Sequence, residues 1–320
     1  MQVSSSAMSR LVSLDLTVVM TKTTKTTKNE NETQTTDRNT DANAHHADAG
    51  GVTLVLGGTG KTGRKVAERL TAQGRPVRVG SRRGEPAFDW NDPATWLPAL
   101  EDVDRVYVTY YPDLAFPGAS VQVAAFAEVA VAAGARRLVL LSGRGEEAAR
   151  TSEEGLKASG ADWTIVRSSW FNQNFDQSFF LDSVRTGEIV LPTADAVEAF
   201  VDTGDIADVV VAALTDDRHI GKTYELSGPR LMGFEDVAAE LSKVTGREIA
   251  YAPIPMEDYR AVLRENGLPE EFAELFTLIL DGRNAHLVNG VEEVLGRPPR
   301  DFSDFAREAA ATGVWDVEAV

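Results

Sequence analysis

The sequence predicts an α/β protein: a Rossmann-type doubly wound parallel sheet joined to a smaller, mostly helical substrate lobe. Three observations predict it. Short apolar runs alternate with helical stretches from Val52 to Arg167, the pattern of strands and crossover helices in a parallel sheet. The first run, VTLVL, passes straight into glycines spaced G-x-x-G-x-x-G at Gly57, Gly60 and Gly63. After Arg167 the alternation loosens into helix with three brief strands, EIVL, TYEL and EIAY.

Each element follows from local signals. VTLVLG reads as a buried strand, and Lys61 to Gln73 as a helix stopped by Gly74. PVRVGS is a second strand and AFDW a short third one. DPATWLPAL opens a helix with Asp92 as its N-cap and Pro93 in the first position. DRVYVTY is a strand, Gly118 to Ala133 an alanine-rich helix ended by Gly134, and RLVLLS another strand. Glu146 to Ala158 is helical, and DWTIVR is a further strand. Three segments result: an extension over residues 1–50, a dinucleotide-binding core over 51–168, and a substrate lobe over 169–320 with some strands returning to the core. The extension is expected to be disordered. Residues 21–36 are half threonine, and through Ala49 almost no bulky apolar side chain is available to offset the entropy of ordering.

Composition excludes several classes of function. The net charge is −17, and residues 1–50 hold five basic and six acidic side chains, so the acidity belongs to the folded remainder. Such a surface repels phosphate backbones, and no nucleic-acid partner is expected. No cysteine is present, which removes disulfides and thiolate chemistry and fits a reducing cytoplasm. No run of about 18 apolar residues exists to span a membrane. The apolar run Leu11 to Met20 is broken by Asp15 and lacks a basic n-region of weight, so no secretory leader is expected. Met20 offers an alternative start.

The glycine turn, with Thr59, Lys61 and Thr62 between its glycines, is the candidate cofactor site. Glycines permit a tight turn and close backbone approach to a pyrophosphate, and the helix N-terminus then faces the anion. An NAD-preferring fold places Asp or Glu about 20 residues on, to bind the ribose 2′-hydroxyl. Here Ser81, Arg82 and Arg83 stand in that place, and the first acidic residue, Glu85, lies past the turn. Two guanidiniums and a hydroxyl suit a 2′-phosphate, which favours NADP(H) over NAD(H). The plain alternative is a solvated basic loop.

GGTGKTGRKVA, FDWNDPATW, RRLVLLSGRGEE, SGADWTIVRSSWFNQNF, FVDTGDIADVV and YELSGP together resemble the NmrA-like group of atypical short-chain dehydrogenases, in particular its NAD(P)H quinone reductases and festuclavine dehydrogenase-type enzymes. The resemblance runs from about Val52 to Trp315. It implies that Asp89 and Trp90 contact adenine, and that Thr109, Tyr110 and Tyr111 form a loop beside the nicotinamide ribose. It also implies that Ser142 and Gly143 end the strand where ordinary members begin their catalytic segment, and that Asn174 lies near the substrate cleft. One departure matters. Typical short-chain dehydrogenases carry Tyr-x-x-x-Lys on the next helix, where the lysine lowers the tyrosine pKa so that the phenol acts as general acid. Between Ser142 and Gly160 there is no tyrosine, and the position four before Lys157 is Glu153. Lys157 then reads as part of a solvated helix face.

The expected activity is therefore NAD(P)H-dependent reduction of an activated acceptor, such as a quinone or an iminium-type metabolite, which needs mainly proximity to the nicotinamide. The alternative is a non-catalytic NAD(P)-binding redox sensor. Tyr110 and Tyr111 are the candidate phenols. Trp170 and Phe171, with Phe175, Phe179 and Phe180, form an aromatic stretch that either roofs the site for a small apolar or aromatic substrate or packs as core. Among the histidines, His45 and His46 lie in the extension, His219 reads as a solvated cap, and His286 has some claim to a pocket. Asp202 and Asp205 read as capping residues at a helix start. No metal-ligand spacing is present, so no metal is expected. A homodimer is compatible with the sequence.

Overall fold

A computed structural model describes residues 51–177, 180–265, 267–268 and 270–317. The extension over residues 1–50, with His45 and His46, lies outside the described residues, as does Phe179. Strands β1 (Val52–Leu56), β2 (Val77–Gly80), β3 (Val103–Val108), β4 (Arg137–Gly143) and β5 (Asp162–Ser168) alternate with helices α1 (Gly63–Ala72), α2 (Trp96–Ala99), α3 (Ala119–Ala132) and α4 (Glu147–Ala158). Then follow α5 (Leu181–Thr186), β6 (Glu188–Leu191), β7 (Val197–Glu198), α6 (Thr203–Thr215), β8 (Lys222–Leu226), β9 (Met232–Gly233), α7 (Phe234–Thr245) and β10 (Ala250–Pro253). Helices α8 (Met256–Glu265), α9 (Glu271–Leu280), α10 (Gly290–Leu295) and α11 (Phe302–Ala311) close the chain. Among the described residues no helix is long and apolar enough to cross a membrane.

Six strands pair in parallel in the order β2-β1-β3-β4-β5-β8. Because side chains alternate across a strand, each strand feeds two cores. Leu54, Val106, Leu138, Leu140 and Ile165 pack with α3 and α4 on one face. Val55, Tyr107, Val139 and Val166 pack with α1, α6 and α10 on the other. Strand order turns at β1, which lies between β2 and β3, so the loops after β1 and β3 diverge around a crevice at the carboxyl edge of the sheet. The TYEL run is β8, an edge strand of this main sheet. EIVL and the run beginning at Ala250 pair with each other instead, as β6 and β10. A third core lies beside the sheet, where Phe175, Phe180, Phe200, Phe234, Phe302 and Trp315 gather.

Four local expectations are corrected. AFDW is not a strand: Phe88 and Trp90 are buried, but the backbone is committed elsewhere. Phe88 N donates to Ser81 O (2.9 Å), Asp89 N to Thr95 Oγ1 (3.0 Å), and Trp96 Nε1 to Asp89 O (2.9 Å). The first helix begins at Gly63 rather than Lys61, because the glycine turn is held by its own Gly60 N to Gly57 O bond (2.8 Å). His219 is no solvated cap: it is buried, with Nδ1 2.8 Å from the Tyr224 hydroxyl, and burial lowers its pKa. Asp202 does cap α6, accepting from Gly204 N at 2.6 Å. Asp205 does not, since it takes Arg297 Nη1 and Arg300 N, each at 2.7 Å.

Candidate functional site

The turn after β1 has been emptied of side chains. Gly57 adopts φ +61°, and a Cβ there would come within 2.5 Å of Thr109 Oγ1. A Cβ on Gly63 would stand 2.3 Å from Gly57 O and 2.9 Å from Gly58 Cα, so only glycine lets α1 start this close to the turn. Thr62, at the N-cap, makes no side-chain capping bond, and the first turn of the helix holds no acidic residue. The leading N–H groups therefore have no side-chain acceptor, which suits an anionic diphosphate. Thr62 is buried and receives a hydrogen bond from the Tyr107 hydroxyl (3.0 Å), while Thr59 and Gly60 are exposed at the mouth of the turn.

Beyond β2, Gly84 N bonds to Ser81 O (3.0 Å) and closes a tight turn. Arg82 and Arg83 project from it into solvent, with Ser81 half-buried behind them. Across the crevice, Thr109 Oγ1 donates to Leu56 O (3.0 Å), and Trp90 Nε1 donates to Thr109 O (3.1 Å). Trp90 is packed edge-on against Phe88, Trp96 and Phe126, so most of its ring belongs to the core. Asp89 spends a carboxylate oxygen on Asn91 N (2.9 Å). Tyr110 is a poor acid: burial raises its pKa, its ring lies on Trp90, and its hydroxyl donates to Gln122 Oε1 (2.5 Å). Tyr111 is exposed.

The aromatic stretch after β5 divides between two cores. Trp170 stacks on Phe180 (5.9 Å between ring centroids) in the third core, and its Nε1 is buried without a partner among the described residues. Phe175 is fully buried there. Phe171 bridges to Val201 and packs on the α1–α6 side, away from Trp170. Of the two readings, roof or core, Phe171 and Phe175 take core. Asn174 instead reaches the glycine turn after β1, where Lys61 Nζ donates to its Oδ1 at 2.7 Å. Burial lowers the Lys61 pKa to about 8, partly opposed by Asp176. Asp176 is itself raised to about 6 by burial, against Gln177, Lys65 and Lys61.

The end of β4 is built differently. Ser142 is buried, and its hydroxyl donates to Glu153 Oε1 (2.8 Å) rather than facing the crevice. Arg167 grips the same carboxylate through Nε (2.9 Å) and Nη2 (2.7 Å). Burial alone would raise the Glu153 pKa, but these bonds and the charges of Arg167 and Lys157 lower it. Lys157 is half-buried, 5.1 Å from the centre of the Trp163 ring, and not on a freely solvated face. His286 is an exposed residue lining an open cleft of about 610 Å³ beside Arg144 and Asn284.

Sequence reasoning missed a carboxyl pair. Asp113 follows β3 and Glu146 follows β4, and each side chain shifts the proton affinity of the other. Asp113 Oδ1 accepts from Ala115 N (2.7 Å). Glu146 is buried, and burial and then the Asp113 charge push its pKa up to about 8; burial also raises Asp113. Glu198 is a second buried carboxyl, both oxygens without a hydrogen-bond partner among the described residues, pushed up to about 8 by burial against the pull of Arg144 and the Ala199 backbone. Spacing gives no sign of either. Only the rule that ligands lie beyond the carboxyl ends of the strands would have drawn attention to the loops after β3 and β4.

A family model described as NAD(P)H-binding matches residues 57–217, and one described as the NmrA-like family matches residues 149–304. The chain is similar to agroclavine dehydrogenase of Claviceps fusiformis, 32% identical over 80% of this chain and 96% of the relative. It is also similar to prestalk A differentiation protein A of Dictyostelium discoideum, 30% identical over 80% of this chain and 91% of the relative. Its fold is similar to that of the NADPH-dependent quinone oxidoreductase of Escherichia coli complexed with NADPH. That match has a TM-score of 0.62 and 21% identity, and covers 80% of this chain and 99% of the other.

Proposed function

This chain belongs to the NmrA-like family of NAD(P)H-binding proteins, and from that premise we propose that it is an NADPH-dependent reductase of an activated, largely apolar acceptor such as a quinone or iminium. The observation that carries the reading is the emptied turn at Gly57–Gly63, with uncapped helix N–H groups behind it. When bound, NADPH supplies a hydride from its reduced nicotinamide.

The chain's own residues bind and orient. Gly57, Thr59, Gly60, Lys61, Thr62 and Gly63 hold the diphosphate, and Ser81, Arg82 and Arg83 engage the 2′-phosphate as bidentate donors. Thr109, fixed between Leu56 O and Trp90 Nε1, shapes the crevice beside the nicotinamide ribose. Lys61 ties the turn to Asn174, so cofactor and acceptor loops are set relative to each other before either ligand arrives. Trp170, with an indole N–H unpartnered among the described residues and aromatic neighbours, favours a planar acceptor.

Purified protein incubated with NADPH and a panel of quinones is expected to lose absorbance at the nicotinamide band only when an acceptor is present. A second reading, NADP(H) binding without turnover, is favoured by one observation: a relative is named for differentiation rather than for a reaction. Saturable binding of both cofactor forms with no consumption on any acceptor would sink the reductase reading in its favour.

A further inference from the structure

Hydride transfer to a quinone leaves a negative charge on oxygen that a proton must neutralise, and Tyr-x-x-x-Lys is absent from the helix that would ordinarily supply it. Building on the reductase reading, we propose that Glu146 is the proton donor of the reduction and that Asp113 is the positioning residue that resupplies it from solvent.

The geometry places this pair at the right edge of the sheet. Strands β3 and β4 are adjacent and parallel, with Val108 opposite Leu140, so the loops that follow them meet at the carboxyl edge beside β1 and its glycine turn. Glu146 folds back over the end of β4. A Cβ on Gly143 would lie 2.1 Å from the Glu146 carboxyl carbon and 2.2 and 2.3 Å from its oxygens, so glycine at 143 leaves the room that the carboxyl fills. One Glu146 oxygen, Oε2, is buried without a partner among the described residues, and the charge of Asp113 acts on the side chain. Asp113 is half-exposed and Glu146 buried, so the pair has a wet end and a dry end.

The surrounding charges leave the pair to itself. Arg144, Arg150 and Arg283, the cations on the flanking segments, face Glu225, Glu147 and Asp281 respectively. Burial and the charge of Asp113 disfavour ionisation of Glu146 near neutral pH, so it keeps its proton until about pH 8. A donor of that strength matches the task, since proton transfer is most effective when the donor pKa lies near the working pH. The balance is simple. The acceptor gains a hydride, with its electron pair, from the reduced nicotinamide, and a proton from Glu146. The pair, left doubly ionised, regains one proton from water through Asp113.

The first test needs no cofactor. The infrared difference between wild type and Glu146→Gln at neutral pH should contain the carbonyl band of a protonated carboxyl; its absence overturns the proposal. In turnover with NADPH and a quinone, wild-type kcat should fall as pH rises through about 8. Glu146→Gln should lose about 100-fold or more in kcat, lose that limb and keep its KM for NADPH. Asp113→Asn, which removes the like charge, should move the limb to lower pH, and it serves if Glu146→Gln does not fold. A Glu146→Gln enzyme that keeps wild-type kcat and the limb overturns the proton donor and leaves the reductase reading standing. A wild type that consumes no NADPH with any acceptor overturns both.

Discussion

Two strand ends in one sheet, β1 and β4 on either side of β3, do opposite things with space. After β1 the chain removes side chains, so that Gly57, Gly60 and Gly63 leave bare backbone and an uncapped helix N-terminus. After β4 it packs side chains in. Gly143 makes room only for a folded-back glutamate, and Ser142 is spent on Glu153. The first end suits a large anion arriving from outside. The second keeps ionisable groups away from water, where their proton affinities are set by each other. One end is built to bind and the other to hold charge and protons.

Substitutions can break that contrast, the largest effects at the β4 end. Glu153→Ala strips a buried carboxylate from Arg167, whose side chain is only 16% exposed, and should cost about 3–5 kcal/mol in urea denaturation at neutral pH. The Glu153 pKa is depressed, so its contribution is present above about pH 4.5 and is lost as pH falls through its lower folded value. The gap between wild type and variant should therefore narrow in acid; a gap that does not change with pH would mean that lost packing, not charge, sets the cost.

At the β1 end, Gly63→Ala drives a methyl into Gly57 O and should cost about 1–3 kcal/mol in the same assay and weaken NADPH in a fluorescence titration. Retained affinity would refute the close backbone approach on which the turn's role depends. Arg82→Ala with Arg83→Ala should leave stability unchanged and lower the preference for NADPH over NADH by roughly tenfold or more, from about 1.5–3 kcal/mol per charged hydrogen bond. An unchanged ratio would make these arginines a solvated loop.

The smallest effect has the most specific sign. Glu146 has a raised pKa, so its stabilising contribution is complete below about pH 4.5 and is lost as pH rises to about 8. The Tm of Glu146→Gln relative to wild type should climb across that window and level off above it. A flat difference would show a carboxyl with an ordinary pKa.

The turn was readable in the sequence because its physics is local. Gly57 to Gly63 are contiguous, and strand, glycine spacing and helix onset are all properties of one short segment. Asp92 capping the turn before α2 and Asp202 capping α6 were readable for the same reason. AFDW misled because alternating apolar residues describe burial, and Phe88 and Trp90 are buried. Whether a segment is a strand depends on which partner its backbone finds, and here Ser81 and Thr95 took those bonds. The aromatic run after β5 read as roof or as core, and the structure gives core. Its aromatic residues are interleaved with polar ones, and chain direction sends Phe171 to one core and Trp170 to another.

The sequence by itself determined the alternating strands and helices, the glycine turn after β1 and the absence of Tyr-x-x-x-Lys, because periodicity, glycine spacing and residue identity are written along the chain. Tertiary structure alone decided that Asp113 meets Glu146, that Lys61 meets Asn174 and that Glu153 meets Arg167. Those pairs join distant segments, and their proton affinities depend on burial and on which charge stands opposite, quantities that exist only once the chain has folded.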